Sequence, residues 1–156
     1  SGTIGAAIEG ALQGVPSIAL SQYYGPANIT LDNAFEAAAA HGAETIRKIL
    51  AAPGAFEADP YKIFYNVNFP PVPAADVKGT RVVAQGLREN AHGFRVKADT
   101  APNGRKFLWV TGAPQNVGSG ADTDATANLE GYISVTPMRG DLTIRDGFAA
   151  LKAAIE

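Results

Sequence analysis

The chain contains 0 cysteines in 156 residues, which excludes disulfide frameworks, thiolate metal sites and cysteine nucleophiles together and suits a reducing compartment. Histidine is scarce as well: His41 and His92 are the 2 present, far apart and outside any His/Cys/carboxylate spacing that ligates a metal. No apolar stretch approaches the roughly 20 residues needed to span a bilayer, and nothing at the start has the basic-then-apolar layout of a signal peptide. Membrane partners are therefore not expected, and cytoplasm is the expected compartment. Basic residues form no run long enough to track a phosphate backbone, and 13 Lys+Arg against 15 Asp+Glu leave a net charge of −2, so a nucleic-acid polymer is not favoured as a partner. The first position lacks an initiator Met: Ser1 sits at what reads as the entry to a helix, and upstream residues are expected.

What is present is the composition of an ordinary globular chain, 46% hydrophobic and 18% charged with 10 prolines, long enough to bury a core without covalent staples. One domain over residues 1–156 is expected, since no linker, repeat or low-complexity tract divides it. Ile4, Ala7, Ile8, Ala11 and Leu12 recur at helical spacing and stop at Gly14 and Pro16. Pro16 to Leu20 reads as a buried strand, and Ser21 to Asn28 as a loop broken by Gly25-Pro26. Asp32 or Asn33 can cap a second helix whose apolar face is Phe35, Ala39, Ile46, Ile49 and Leu50, with His41 on its surface.

Tyr61 to Phe69 is rich in aromatic and β-branched residues and closes at Pro70-Pro71, which predicts a strand; Arg81 to Gln85 predicts another. Phe94 to Asp99 and Lys106 to Thr111 flank Pro102-Asn103-Gly104 and predict a long antiparallel hairpin, residues 93–112, with Phe107 and Trp109 exposed. Asp122-Thr123-Asp124 suits the cap of a short helix through Leu129. Tyr132 to Thr136 alternates like a half-buried strand ended by Pro137, and Ile144, Phe148, Leu151 and Ile155 predict a last amphipathic helix within residues 141–156. The fold class is α/β, with a hairpin-rich middle.

Few residues suggest chemistry. Gly118 and Gly120 supply two glycines of a dinucleotide fingerprint, but Thr123 stands where the third is needed, so a flexible loop is the better reading. Asn28-Ile29-Thr30 is a glycosylation sequon with no secretory signal to give it meaning. Ser1-Gly2-Thr3 opens a helix, where unpaired N–H groups, two hydroxyls and the positive end of the dipole face an anion such as phosphate. From the residues alone, an ordinary N-cap and an N-terminal serine nucleophile, with its own α-amino group as base, stay open beside that reading. Asn66 and Asn68 share one face of their strand and can orient a ligand or bond local backbone. For Asp122 and Asp124, helix capping outweighs a paired-carboxylate role.

An ordered set of segments resembles the SurE family of stationary-phase survival proteins, which are metal-dependent nucleoside monophosphate phosphatases. The set runs from Ser1-Gly2-Thr3-Ile4-Gly5-Ala6-Ala7-Ile8-Glu9-Gly10 and Gly14-Val15-Pro16-Ser17-Ile18-Ala19-Leu20-Ser21 through Asn66-Val67-Asn68-Phe69-Pro70 and Lys78-Gly79-Thr80-Arg81-Val82. Asp122-Thr123-Asp124, then Gly131-Tyr132-Ile133-Ser134-Val135-Thr136-Pro137-Met138 and Asp141-Leu142-Thr143, complete it. The resemblance implies part of a Rossmann-like, three-layer α/β/α core with a protruding hairpin and a carboxy-terminal helix used in forming a homodimer or homotetramer. It also implies a 5′-nucleotidase acting on nucleoside monophosphates with a divalent ion, Mg or Mn, whose ligands lie in an amino-terminal portion that the chain lacks. Ser1, Gly2 and Thr3 would line the phosphate side of the pocket; no catalytic residue and no metal ligand is expected within the chain, which is expected to be inactive alone. A purely structural, assembly-forming role for the chain is the alternative.

Overall fold

The computed structural model describes residues 2–25, 28–57, 62–87, 95–111 and 116–155. Helix α1 spans Gly2–Leu12, strand β1 Ser17–Gln22, helix α2 Glu36–Ala51, strand β2 Ile63–Phe69 and strand β3 Thr80–Val82. Strands β4 (Arg95–Thr100) and β5 (Lys106–Thr111) follow, then helix α3 (Asp124–Leu129), strand β6 (Ile133–Arg139) and helix α4 (Phe148–Ile155). The main sheet has the order β1-β2-β6-β3; β1 runs parallel to β2, and β3 parallel to β6, while β6 is antiparallel to β2.

Alternation along β2 decides which helix covers which face. Phe64 points to one side and packs with Ala7 and Ala11 of α1, Ala19 of β1 and half-buried Met138 of β6. Val67 and Phe69 point to the other, into a cluster with Ala37 and Ile49 of α2 and Ile133 and Val135 of β6. Phe64, Val67 and Phe69 are fully buried, each side chain contributing about 1.5–3 kcal/mol relative to exposure. With α1 on one face and α2 on the other, the sheet is the middle of a three-layer α/β/α arrangement, as the resemblance implied. Helix α1 approaches β1 closely because residue 10 is glycine: a Cβ there would lie 2.4 Å from Ser17 Oγ.

Several boundaries differ from expectation for identifiable reasons. Strand β1 continues through Ser21 and Gln22, because β2 offers partners as far as Phe69. The buried stripe of α2 is Ala37, Gly42, Thr45 and Ile49, whereas Phe35 and Leu50 are exposed; small residues face the sheet so that the helix can sit close to it. His41 is half-buried rather than on the surface, its Nε2 2.9 Å from the Ala74 carbonyl oxygen. Strand β3 is short, ending at Val82, with Ala84 in an isolated parallel bridge to Thr123.

Pro137 lies inside β6, opposite Tyr65, and does not end it. Val135 accepts Val83 N–H on the β3 side, so the next residue in phase, Pro137, directs its missing N–H past the end of β3, where the sheet needs no donor. Helix α4 is shorter than the apolar spacing suggested and leaves Ile144 outside it. Tyr61 and Phe94, expected at strand starts, lie outside the described residues.

The hairpin forms as expected, a separate two-stranded sheet β4–β5. Its turn closes through Gly104 N–H to the Ala101 carbonyl at 2.8 Å and Ala101 N–H to the Arg105 carbonyl at 2.9 Å, with Gly104 at φ 80°, a conformation that suits glycine. Val96, Leu108 and Val110 share one face and are exposed; on the other, Trp109 is exposed and Phe107 half-buried, the two rings packed edge-on at 5.5 Å. Among the described residues, no helix is long and apolar enough to cross a membrane.

Candidate functional site

The parallel strands β1 and β2 carry their carboxyl ends to the same edge of the sheet, the edge at which open α/β sheets bind ligands. A cleft of about 520 Å³ opens there. Ser21, Asn66 and Asn68 form its sheet wall: Ser21 pairs in register with Asn68, and all three side chains point to the α1 face. Gln85, Gly86, Asp124 and Ala125 form the opposite wall, and Tyr23 and Tyr24 extend the β1 end.

Three tethers fix these walls. Buried Asn128 donates from Nδ2 to the Asn68 carbonyl at 2.9 Å, to the Tyr132 carbonyl at 3.0 Å and to Ser134 Oγ at 3.3 Å, binding α3 to β2 and β6. Gln22 donates from Nε2 to the Pro70 carbonyl at 2.8 Å and accepts Ala38 N–H on Oε1 at 3.1 Å, joining the ends of β1 and β2 to the first turn of α2. Fully buried Asn28 donates to the carbonyls of Tyr23 at 2.6 Å and Ala34 at 2.9 Å and accepts Gly25 N–H at 2.9 Å. A buried amide satisfied this way fixes the loop after β1.

Asp124 differs from the capping role expected of it. Thr123 occupies the N-cap of α3 without a side-chain cap bond, while Asp124 Oδ1 accepts Gly86 N–H at 2.9 Å and Ala125 N–H at 2.7 Å. The carboxylate ties the segment after β3 to the first turn of α3 within that wall of the cleft. Asp122 has φ 55°, the one non-glycine residue with positive φ among the described residues. The Gly118–Gly120 segment, expected to be a flexible loop, is tied at several points: Ser119 N–H to Thr126 Oγ1 at 3.1 Å, Ser119 Oγ to Thr123 Oγ1 at 2.9 Å, and Thr123 Oγ1 to the Gly120 carbonyl at 2.9 Å.

By contrast, the side chains of Ser21, Asn66 and Asn68 make no hydrogen bond among the described residues, and the buried Thr136 Oγ1, opposite Asn66 in the β2–β6 register, is also without a partner. Tyr24 stacks on Phe35 with ring centres 6.0 Å apart and remains 54% exposed.

Of the expected phosphate-side residues, Ser1 lies outside the described residues, and Gly2 and Thr3 are exposed at the start of α1. Thr3 lines a separate hollow of about 360 Å³ with Ala6 and Ala7 of α1 and Ser17 to Leu20 of β1; neither Gly2 nor Thr3 lines the larger cleft. Asn66 and Asn68 do line it, together. Sequence reading missed Ser21, Gln85 and Gly86, whose signal was their place at the carboxyl ends of apolar strands. No group of three or more His, Cys, Asp or Glu suited to a metal occurs among the described residues, so these residues do not fit the divalent ion that the resemblance implies.

A mixed sheet covered on both faces, with a polar cleft outside the carboxyl ends of its parallel strands, defines a protein of the α/β class. The family model for survival protein SurE matches residues 1–92, and the chain belongs to the SurE family. It is 75% identical over 156 residues to the 5′-nucleotidase SurE of Jannaschia sp. (strain CCS1), covering 100% of this chain and 59% of that protein. It is 57% identical over 153 residues to the 5′-nucleotidase SurE of Ruegeria sp. (strain TM1040), covering 98% of this chain and 58% of that one. The crystal structure of the SurE protein from Aquifex aeolicus superposes with a TM-score of 0.71 at 30% identity, over 100% of this chain and 58% of that chain. The chain thus spans a little under three-fifths of the length of the relatives it matches.

Proposed function

We propose that this chain serves a 5′-nucleotidase: water displaces the nucleoside 5′ oxygen at phosphorus, and a nucleoside monophosphate becomes a nucleoside and inorganic phosphate. The observation that carries the reading is the high identity, along the whole chain, to a protein named 5′-nucleotidase SurE. The cleft at the carboxyl ends of β1 and β2 has a size and polarity in keeping with it. In this reading the start of α1, with Ser1, Gly2 and Thr3, faces the phosphate, where helix-end N–H groups offset negative charge. A divalent ion, Mg or Mn, is held by residues outside this chain, which binds and positions the substrate and supplies neither ligand set nor nucleophile.

Assembly belongs to the same proposal. The hairpin, residues 93–112, carries exposed Val96, Leu108, Trp109 and Val110, and the terminal segment 141–156 exposes Leu142, Ile144, Phe148 and Leu151. Apolar side chains in such number suit contact with a second copy of the protein, a homodimer or homotetramer. A cytoplasmic location accords with the absence of cysteine.

The test is phosphate release from adenosine or guanosine monophosphate by a protein of the relatives' full length carrying this sequence, with Mn or Mg added and then chelated. Metal-dependent turnover by that protein, with none by the 156 residues alone, is the expected outcome. No turnover by the longer protein overturns the activity; turnover by the 156 residues alone overturns the division of labour. Deleting residues 93–112 should shift the sedimentation coefficient toward a smaller assembly.

A further inference from the structure

We propose that Asn103, at the tip of the β4–β5 hairpin, is a site of spontaneous covalent modification, where the Gly104 nitrogen closes on the Asn103 side chain and water converts the amide into aspartate and isoaspartate. The reaction needs a side-chain carbonyl carbon within reach of the next backbone nitrogen, and a main chain free to bend around it. Asn103 is the one asparagine followed by glycine; the others precede Ala, Val, Leu, Ile or Phe, whose Cβ hinders the approach. Once water or hydroxide has taken its proton, the Gly104 nitrogen attacks Asn103 Cγ; the Cγ–Nδ2 bond breaks, ammonia leaves with a proton, and a cyclic imide remains. Water then adds to either imide carbonyl. Opening at one restores the main chain with an aspartate side chain; opening at the other routes the main chain through the side-chain carbons, which is isoaspartate. The exchange consumes water and releases ammonia, with no change of oxidation state.

The turn presents the groups this reaction uses. Residues 102–105 are exposed, so water reaches the amide and ammonia can leave. Asn103 Oδ1 accepts Arg105 N–H at 3.1 Å, which closes a ring containing the Gly104 nitrogen, folds the side chain forward over the peptide that attacks it and draws electrons away from Cγ. The opposing feature is the bond from Gly104 N–H to the Ala101 carbonyl at 2.8 Å, which holds the proton that must leave. That bond lies at the free end of a separate two-stranded sheet. A hairpin alone is marginally stable in water, so the bond opens at little cost. The product reshapes the hairpin: isoaspartate lengthens the main chain by a methylene, so the turn can no longer hold both its closing bonds, and the adjoining Thr100–Lys106 pair frays first. Either product adds a negative charge beside Arg105 and Lys106.

The experiment incubates a folded protein of the relatives' full length carrying this sequence in mildly alkaline buffer. Peptide mapping follows each asparagine, with electron-transfer fragmentation to separate aspartate from isoaspartate. Asn33 is the internal control: it is exposed, its Oδ1 accepts Phe35 N–H at 3.0 Å in the same pattern, and Ala34 follows it. Conversion at Asn103 should run about tenfold faster than at Asn33, a difference of about 1.4 kcal/mol in barrier, with isoaspartate among the products. Gly104→Ala should remove that excess. A rate at Asn103 no faster than at Asn33 overturns the site. Conversion that is fast in urea and absent in the folded protein overturns it too, because the bond to Ala101 would then be guarding the nitrogen.

Discussion

Gly86 N–H donates to Asp124 Oδ1 across 2.9 Å, joining the segment after β3 to the first turn of α3. The same oxygen accepts Ala125 N–H. Removing the carboxylate leaves both donors without their partner, at about 1–3 kcal/mol for a buried group so orphaned. Asp124→Ala should therefore lower the unfolding free energy by roughly 2 kcal/mol in urea titration, while Asp124→Asn, which keeps an acceptor oxygen, should lose less than half of that. Equal losses in the two variants would show that the shared acceptor is not what the site requires.

Glycine at 86 is set by space. A Cβ there would lie 1.8 Å from Ser119 Oγ and 2.7 Å from Ser119 Cβ, and Ser119 is itself bonded to Thr123 and Thr126. Gly86→Ala should cost about 1–3 kcal/mol, the usual range for overpacking, and the double variant with Ser119→Gly should recover most of it. Thermal unfolding of the three proteins measures this, and a single variant as stable as the parent rules out the close packing.

Asn28 replaces backbone pairing in the loop after β1 with side-chain pairing to Tyr23, Ala34 and Gly25. Asn28→Ala should destabilise by about 2–3 kcal/mol, and hydrogen exchange should quicken at Gly25 N–H while the amides of β2 keep their order of protection. Faster exchange spread evenly over the sheet would count against a local role for this amide.

Asp141 sits in a turn in which hydrogen bonds from Thr143, and then Arg145, hold its carboxyl down to about 2 from an ordinary 3.8; Thr143 N–H lies 3.0 Å from Oδ1. A depressed folded value means that the ionised group favours the turn above pH 3.8 and that this contribution is lost as pH falls through about 2. Carbon-detected titration should place the Asp141 midpoint near 2, and Thr143→Ala should raise it toward 3.8. A midpoint unmoved by that change would assign the depression to the backbone N–H of residue 143 and to Arg145.

Local pattern located most elements, because helical and strand spacing, Gly-Pro breaks and the Asn103-Gly104 turn act within a few residues. It failed where a neighbour decided. Pro137 reads as a strand end until β3 is seen to stop short of it. The covered side of α2 reads as Phe35, Ala39, Ile46, Ile49 and Leu50; Ile49 is buried as expected, but the sheet demands small residues at Ala37 and Gly42 and leaves Phe35 and Leu50 exposed. His41 reads as surface until the Ala74 carbonyl meets its ring.

The sequence by itself determined the α/β class, the order of elements, the absence of thiol chemistry and, through an ordered set of segments, the SurE family. These rest on residue type and spacing, which folding does not alter. Only the tertiary structure decided that Ser21, Asn66 and Asn68 stand against Gln85, Gly86 and Asp124 around one cleft. Those residues are scattered between positions 21 and 124, and what brings them together is the register of β1 on β2, with buried Asn128 fastening α3 to the same strand ends. The energy that sets that geometry comes from long-range pairing and burial, which no local pattern encodes.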